Sequence, residues 1–409
     1  MRRVTQLDEF KADRDLWRDI LFADLYSLRD RSSEEKLALR GIWLRDFLHS
    51  DYHLPEPREV GAMFFRSLVR DDYRGLFHAA IGASGIGSRV VVEEYQHRTR
   101  PARMNLEASR FMSENMDLFY ALDIPDPLDR ACCFIRACKY AFILEKLARI
   151  ECKALICFAD MQPVEHLLAR YFRSQGVLTV TLQHGLYVDY GDLDTVNVIN
   201  YLHQPSEYFL SWGPNTSRLI ARHHPGNTTV DCGKPLIFNA GSAAAGENRV
   251  PYISVFLDQK IFNAQNEQML EIVIAYARRT GRAVRVRFHP SIRKADFLEK
   301  YPGIKEQLHF RDADFVVGHT SSLIYEAITL GCRVFRFESE VPGIPLPETC
   351  SFRTLAQLEA RTALPQPGGL TEEFFCATGE SALRRYTRFF RDTLPDLIDD
   401  RTEERLVST

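Results

Sequence analysis

Two hydrophobic rhythms divide the chain near residue 150. Before it, "DRDLWRDILFADLYSL" (13–28), "SEEKLALRGIWLRDFL" (33–48) and "DRACCFIRACKYAFILEKLARI" (129–150) repeat apolar residues at three- and four-residue intervals, which predicts helices with one buried face. Proline breaks at "HLPEP" (53–57) and "IPDPLD" (124–129) separate them, so residues 1–150 read as mainly helical. From Lys153 onward, short β-rich runs alternate with helical stretches: "ALICFA" (154–159), a helix over 163–174, "VLTVTLQ" (177–183), "YFLSW" (208–212), a helix from Asn215, and "TTVDCG" (228–233). The small-residue segment "NAGSAAAGENRVP" (239–251) reads as a linker. A second series follows: "YISVFL" (252–257), a helix near 267–279, "AVRVRF" (283–288), a short helix, "DFVVG" (314–318), another helix and "RVFRF" (333–337).

Strands alternating with helices build parallel sheets covered on both faces, so the fold class is α/β. The expected division is a first domain over 1–238, helical to 150 and Rossmann-like over 151–238, and a second Rossmann-like domain over 239–409 facing it across a cleft. The helical "GESALRRYTRFFRDTL" (379–394) is expected to pack back on the first domain. Ligands of such sheets bind at the carboxyl ends of strands, and polar residues follow four of the predicted strands: Asp160, then Gln183-His184-Gly185, then Asp258, then His289-Pro290.

In "VRVRFHP", Val284, Val286 and Phe288 share one face and Arg285, Arg287 and His289 the other, and Pro290 ends the ladder. His289 is placed either to donate a hydrogen bond to a phosphate oxygen or to protonate a leaving phosphate; bonding to a nearby carbonyl is the plain structural alternative. In "FVVGHTSSLIYEAITLGCRVF" (315–335), the hydroxyls of Thr320, Ser321 and Ser322 precede a helix. Neither serine has the Glu or Gln three residues on that completes a capping box. Glu326 instead stands four residues after Ser322, about 6 Å along the helix. Hydroxyls at a helix start suit a phosphate and a carboxylate one turn deeper suits ribose hydroxyls, which together describe a nucleotide cradle. His224-Pro225 follows a helix and reads as a helix stop. The acidic loop of Asp189, Asp192 and Asp194 has no convincing metal pair, and no metal is expected. "IGASGIGSRV" (81–90) lacks the preceding strand and following helix of a dinucleotide loop.

Composition narrows the classes. With 45% hydrophobic residues, 26% charged residues and a formal net charge of −3, the chain lacks the basic excess of a general nucleic-acid binder. No secretory signal or membrane-spanning run is seen, and nine cysteines without CxxC pairs read as reduced thiols. The expectation is a cytoplasmic protein.

The order of "LQHG" (182–185), Ser211-Trp212-Gly213, Gly233-Lys234-Pro235, "RFHP" (287–290) and the Ser-Ser turn resembles bacterial surface-polysaccharide glycosyltransferases of the GT-B type, over about Lys153 to Phe337. The group includes polysialyltransferases, Kdo transferases and CDP-glycerol glycerophosphotransferases. The resemblance implies a metal-independent transferase with an acceptor-side first domain and a nucleotide-sugar-binding second domain. It needs no cofactor beyond a CMP- or CDP-linked donor and acts on an oligosaccharide or lipid-linked acceptor, at the inner face of the membrane if it binds there peripherally. It also implies that His289, Ser321 and Ser322 hold the donor, with Arg287, Pro290, Thr320 and Glu326 beside them. Asp160, His184 and Asp258 are the candidates for the base or nucleophile, and His289 for acid catalysis. The family's acidic-acidic-Gly motif is not found cleanly. A CDP-polyol phosphotransferase, a nucleotide-sugar 2-epimerase and a non-catalytic binding partner in polysaccharide assembly are the alternatives.

Overall fold

The computed structural model describes residues 7, 10–11, 13–28, 32–97, 112–114, 116, 120, 122, 124–193, 195–237 and 251–399. Of the linker expected over 239–251, residues 239–250 lie outside the described residues, as does Asp194.

The first sheet contains β1 (Ser50–Tyr52), β2 (Glu59–Arg66), β3 (Arg89–Gln96), β4 (Glu151–Cys157), β5 (Leu178–Leu182), β6 (Tyr208–Ser211) and β7 (Thr228–Asp231). Their spatial order is β1-β3-β2-β4-β5-β6-β7. Only β1 runs antiparallel to its neighbour; the rest pair in parallel, with Phe64 opposite Ile156 and Phe65 opposite Cys157. Its helices are α1 (Arg14–Ile20), α2 (Phe22–Leu28), α3 (Ser33–His49), α4 (Asp71–Ser84), α5 (Pro127–Leu147), α6 (Pro163–Ser174), α7 (Ile199–Leu202) and α8 (Pro214–His223). Alternation along β2 divides two cores: Met63 and Phe65 pack with α1, α5 and α6, while Ala62 and Phe64 pack with α4 and α8.

Helices still predominate among the described residues of 1–150, but these strands correct the expected start of the Rossmann-like sheet at residue 151. The parallel sheet starts at Glu59, well before residue 151. Strand β2 is buried on both faces, with every residue after Glu59 enclosed, so the run carries no two-residue alternation to mark it as a strand.

The second sheet contains β8 (Tyr252–Phe256), β9 (Ala283–Arg287), β10 (Ile304–Glu306), β11 (Phe315–Gly318), β12 (Val334–Phe337) and β13 (Ser351–Phe352), all parallel in the order β10-β9-β8-β11-β12-β13. Around it lie α9 (Asn263–Thr280), α10 (Lys294–Lys300), α11 (Leu323–Thr329) and α12 (Leu355–Thr362). The chain then returns through α13 (Glu380–Thr393), whose Phe390 meets Phe64 at 6.4 Å and whose Thr387 hydroxyl donates to Ala83 O at 2.8 Å.

On the way back, residues 371–379 form a strap between the sheets. Cys376 N donates to Trp212 O and Lys234 N donates to Ala377 O, both at 2.9 Å. The glycines of the Trp-Gly and Gly-Lys-Pro motifs make this approach possible. A Cβ on Gly213 would lie 2.7 Å from the Phe374 carbonyl carbon, and one on Gly233, whose φ is +89°, would lie 2.3 Å from Ala377 O. Phe374 stacks on Tyr325 at 4.4 Å and Phe375 meets Trp212 edge-on at 5.7 Å, so one apolar core continues from the first sheet to α11. Among the described residues, no helix is long and apolar enough to cross a membrane.

Candidate active site

Strand β8 lies between β9 and β11. At the spacing of neighbouring strands, the carboxyl ends of β9 and β11 are about 10 Å apart. The end of β9 carries Arg287 and, just beyond it, His289. Along this strand Val284, Val286 and Phe288 are buried while Arg285, Arg287 and His289 are partly exposed, as the alternation requires. Pro290 is exposed.

Ser291 fixes the chemistry of His289. The Ser291 backbone N–H donates to His289 Nδ1 at 3.1 Å, and the Ser291 hydroxyl sits 2.8 Å from the same nitrogen. Lys260 N in turn donates to that hydroxyl oxygen at 3.0 Å, which joins the loops after β8 and β9. Since Nδ1 is an acceptor here, the neutral ring carries its proton on Nε2. Burial, helped by the positive charge of Arg70, pushes the imidazole down to about 4. His289 is therefore neutral near pH 7 and suits hydrogen-bond donation better than proton donation.

At the end of β11, Asp258 orders the hydroxyl turn. Its carboxylate is buried and accepts from Thr320 N at 2.8 Å. The backbone of Asp258 is itself bracketed by Asn266, which accepts from Asp258 N at 2.9 Å and donates to Asp258 O at 3.1 Å. Burial raises its pKa and nearby His319 opposes the rise. These contacts bury Asp258 between β8 and β11 and turn its carboxylate toward Thr320, at the position where the sequence suggests a nucleophile or base. His319, which sequence reasoning passed over, is 1% exposed, with Nε2 3.1 Å from Val341 O and Nδ1 3.7 Å from the Asp258 carboxylate. Its place directly before the Thr-Ser-Ser turn was the available signal.

Ser322 is the N-cap of α11, and its side chain makes no capping bond. The Ser321 hydroxyl has only a long contact, 3.4 Å from Leu323 N. Thr320, Ser321 and Ser322 are partly exposed; the Thr320 side chain also hydrogen-bonds to Asp258, while the two serine hydroxyls are little used within the fold. Glu326 is enclosed, and its carboxylate pairs with Lys234 from the Gly-Lys-Pro motif; the two side chains are 3% and 7% exposed. The Lys234 ammonium also lies 4.5 Å from the centre of the Trp212 ring. Glu326, expected to meet ribose hydroxyls, makes an ion pair here that joins the two domains.

The first domain faces this end with His184 and with a group that sequence reasoning missed, Arg70, Asp72 and Tyr73 at the start of α4. Arg70 pairs with Asp72 at 2.6 Å and lies 4.0 Å over the Tyr73 ring. Tyr73 meets His184 edge-on at 5.7 Å. His184 is buried, with Nδ1 3.0 Å from the Tyr187 hydroxyl, and burial together with Arg70 pushes its imidazole down to about 3. The field of Arg70 also reaches Arg287 and His289 in the second domain, so the two shores of the cleft meet here. Burial lowers the pKa of the Arg287 guanidinium while Glu326 and Asp72 favour its charge. Gln183 holds the loop beneath, accepting from Trp212 N at 2.6 Å and donating to Gly185 O at 2.7 Å.

Asp160 does not join the strand-end groups of the second domain. It is wholly buried under β5 and β6, where one carboxylate oxygen accepts from Ser206 N at 2.9 Å and its own N–H donates to the Thr181 hydroxyl. Burial raises its pKa, and no part of the residue is exposed. His224 caps the end of α8 and contacts Tyr201 O at 3.0 Å.

The chain matches no protein-family model and no curated protein. Among solved structures, it is similar to the UDP-GlcNAc 2-epimerase of Methanocaldococcus jannaschii in complex with UDP-GlcNAc and UDP. That likeness has a TM-score of 0.53 at 13% identity and covers 82% of this chain and 100% of that one. S. aureus MnaA with UDP gives 0.49 at 12% identity over 82% and 97%, and the glycotransferase of kitacinnamycin 0.45 at 11% over 86% and 100%. The first of these, with the two sheets described above, shows the class: an α/β protein of GT-B fold built from two Rossmann-like domains.

Proposed function

We propose that the protein is a glycosyltransferase that moves a sugar from a CMP- or CDP-linked donor to a growing surface polysaccharide, of capsule or lipopolysaccharide type, or to a lipid-linked glycan. The observation that carries this reading is His289. A neutral imidazole with Nδ1 tied to Ser291 keeps its Nε2–H for a ligand, at a strand end beside Arg287 and opposite Arg70.

Departure of the nucleotide places negative charge on its phosphate. Fixed donors aimed at that charge lower the barrier most where water is scarce. The Nε2–H of His289, the Arg287 guanidinium, and the Ser321 and Ser322 hydroxyls supply such donors in this reading. Asp258 sets the turn through Thr320 N, and the Glu326–Lys234 pair holds the helix behind it. Of the groups considered for the base, His184 has the position that supports the role, beside Tyr73 and Arg70. Its depressed pKa makes it a weak base, so leaving-group stabilisation carries the larger share of the rate.

The likeness to an epimerase crystallised with UDP-GlcNAc favours a second reading, a nucleotide-sugar 2-epimerase. The two separate in one experiment: incubation with CMP-, CDP- and UDP-sugars, with and without an oligosaccharide acceptor, followed by NMR. Acceptor-dependent release of a cytidine nucleotide supports transfer. A C2 epimer formed without acceptor supports the second reading. Neither product with any donor sinks both and leaves a non-catalytic binding partner.

A further inference from the structure

Away from the cleft, three segments distant in sequence bring together a carboxylate and two imidazoles. Asp19 closes α1, His166 stands in the first turn of α6, and His203 caps α7. The Asp19 carboxylate has one oxygen 3.0 Å from His166 Nε2 and the other 3.3 Å from His203 Nδ1, and one ligand atom from each of the three residues can be chosen so that all lie within 4.8 Å of one another. Four ligands held about 2.1 Å from a zinc-like ion in a tetrahedron stand about 3.4 Å apart. Each imidazole nitrogen stands near that distance from one Asp19 oxygen, His166 from one and His203 from the other.

The ligand atoms are also held in place. His166 is 4% exposed, and the His203 ring stacks on Phe22 at 4.6 Å with an interplanar angle of 20°. They border an open hollow of about 530 Å³, also lined by Arg173, Gln204 and His224, which leaves room for a fourth, water ligand. One competitor is present: Arg170 Nη1 lies 2.6 Å from the Asp19 oxygen that faces His166. Its side chain is 43% exposed and can swing into solvent. Asp160 adds negative character nearby, since its second carboxylate oxygen is buried without a hydrogen-bond partner among the described residues and His166 lies within its electrostatic reach.

We propose that Asp19, His166 and His203 form a binding site for a divalent cation of the zinc class. Two imidazole nitrogens and one carboxylate oxygen suit Zn²⁺, Co²⁺ or Ni²⁺ and disfavour Mg²⁺ or Ca²⁺, which prefer all-oxygen shells. The ion would clip the N-terminal helices α1 and α2 to the sheet through α6 and the loop before β6. Its role is structural, and the nucleotide reading of the cleft stands or falls independently of it.

The test uses the full chain without an affinity tag, stripped with chelator and desalted. Titration with Co²⁺ at pH 7.5 is expected to give visible d–d absorption saturating at one equivalent and abolished by Zn²⁺, with a raised Tm for the loaded protein. His203→Gln and Asp19→Asn should each weaken binding at least tenfold while circular dichroism stays that of the parent. His309→Gln, remote from the cluster, should bind as the parent does. Absence of saturable Co²⁺ and Zn²⁺ binding overturns the proposal and leaves an ion-pair network. So does equal binding by His203→Gln and the parent.

Discussion

Replacement of Lys234 by methionine tests how the two domains are joined. The substitution keeps length and apolar contact with Trp212 but removes the ammonium from the Glu326 carboxylate, 3% exposed, and leaves it the charge of Arg287. Breaking a buried pair by removing one partner costs about 3–5 kcal/mol, because the remaining charge stays desolvated. Loss of the ammonium from the face of Trp212 pushes the cost toward the upper end, since a desolvated cation–π contact is worth about 2 kcal/mol. The backbone clasp of Lys234 to Ala377 and Gly379 is untouched, so the loss reports the side chain alone. Lys234→Met with Glu326→Leu removes both charges and should recover most of the stability, ending within about 1 kcal/mol of the parent. Urea denaturation followed by circular dichroism measures this as a shift in midpoint at unchanged slope. A single variant within about 1 kcal/mol of the parent refutes the reasoning, as does a double variant no more stable than the single one.

His184 should make the protein acid-sensitive. Its folded pKa of about 3 lies below the ordinary 6.5, so between those values the unfolded chain binds the extra proton and stability falls as pH drops, by up to about 1.4 kcal/mol per unit. His184→Gln should flatten the fall between pH 6.5 and 4 in a series of urea midpoints; an unchanged slope contradicts the assignment. Gly233→Ala should destabilise by more than about 1 kcal/mol, through the φ of +89° and the clash with Ala377 O, and should expose the strap at 371–379 to limited proteolysis. Ser322→Ala should change stability by less than about 0.5 kcal/mol, because its hydroxyl caps nothing, whereas a working cap is worth about 1 kcal/mol. Its nucleotide affinity should fall all the same, and a large loss of stability would mark Ser322 as structural.

Four of the five strands from Tyr252 to Phe337 are legible because each is short, β-branched or aromatic, and bounded by turn residues; β10, the three residues Ile304–Glu306, is not. Asp258, His289 and the Thr-Ser-Ser turn were legible as strand ends for the same reason. What sequence could not supply was pairing. "EVGAMFFR" becomes β2 because β3 and β4 cover its two edges and helices cover both faces, and Arg70 and Asp72 remain hidden until that strand is recognised. The contacts of Asp258 and Glu326 were not legible because spacing shows where a carboxylate lies along an element and not who meets it. One is met by Thr320 N and the other by Lys234, which lies 92 residues away. Likewise, the Trp-Gly and Gly-Lys-Pro motifs serve the strap, a segment more than a hundred residues downstream.

In the proposed function, His289 offers Nε2–H to the phosphate of a bound nucleotide. Isothermal titration of CMP, CDP, UDP and GDP into the parent, His289→Ala and His289→Gln measures it directly. One cytidine nucleotide is predicted to bind the parent at one equivalent. His289→Ala should weaken it about tenfold to a hundredfold, the worth of a hydrogen bond to a charged group, and His289→Gln should recover part of the loss. Binding of no nucleotide, or equal affinity in the parent and His289→Ala, would contradict the account.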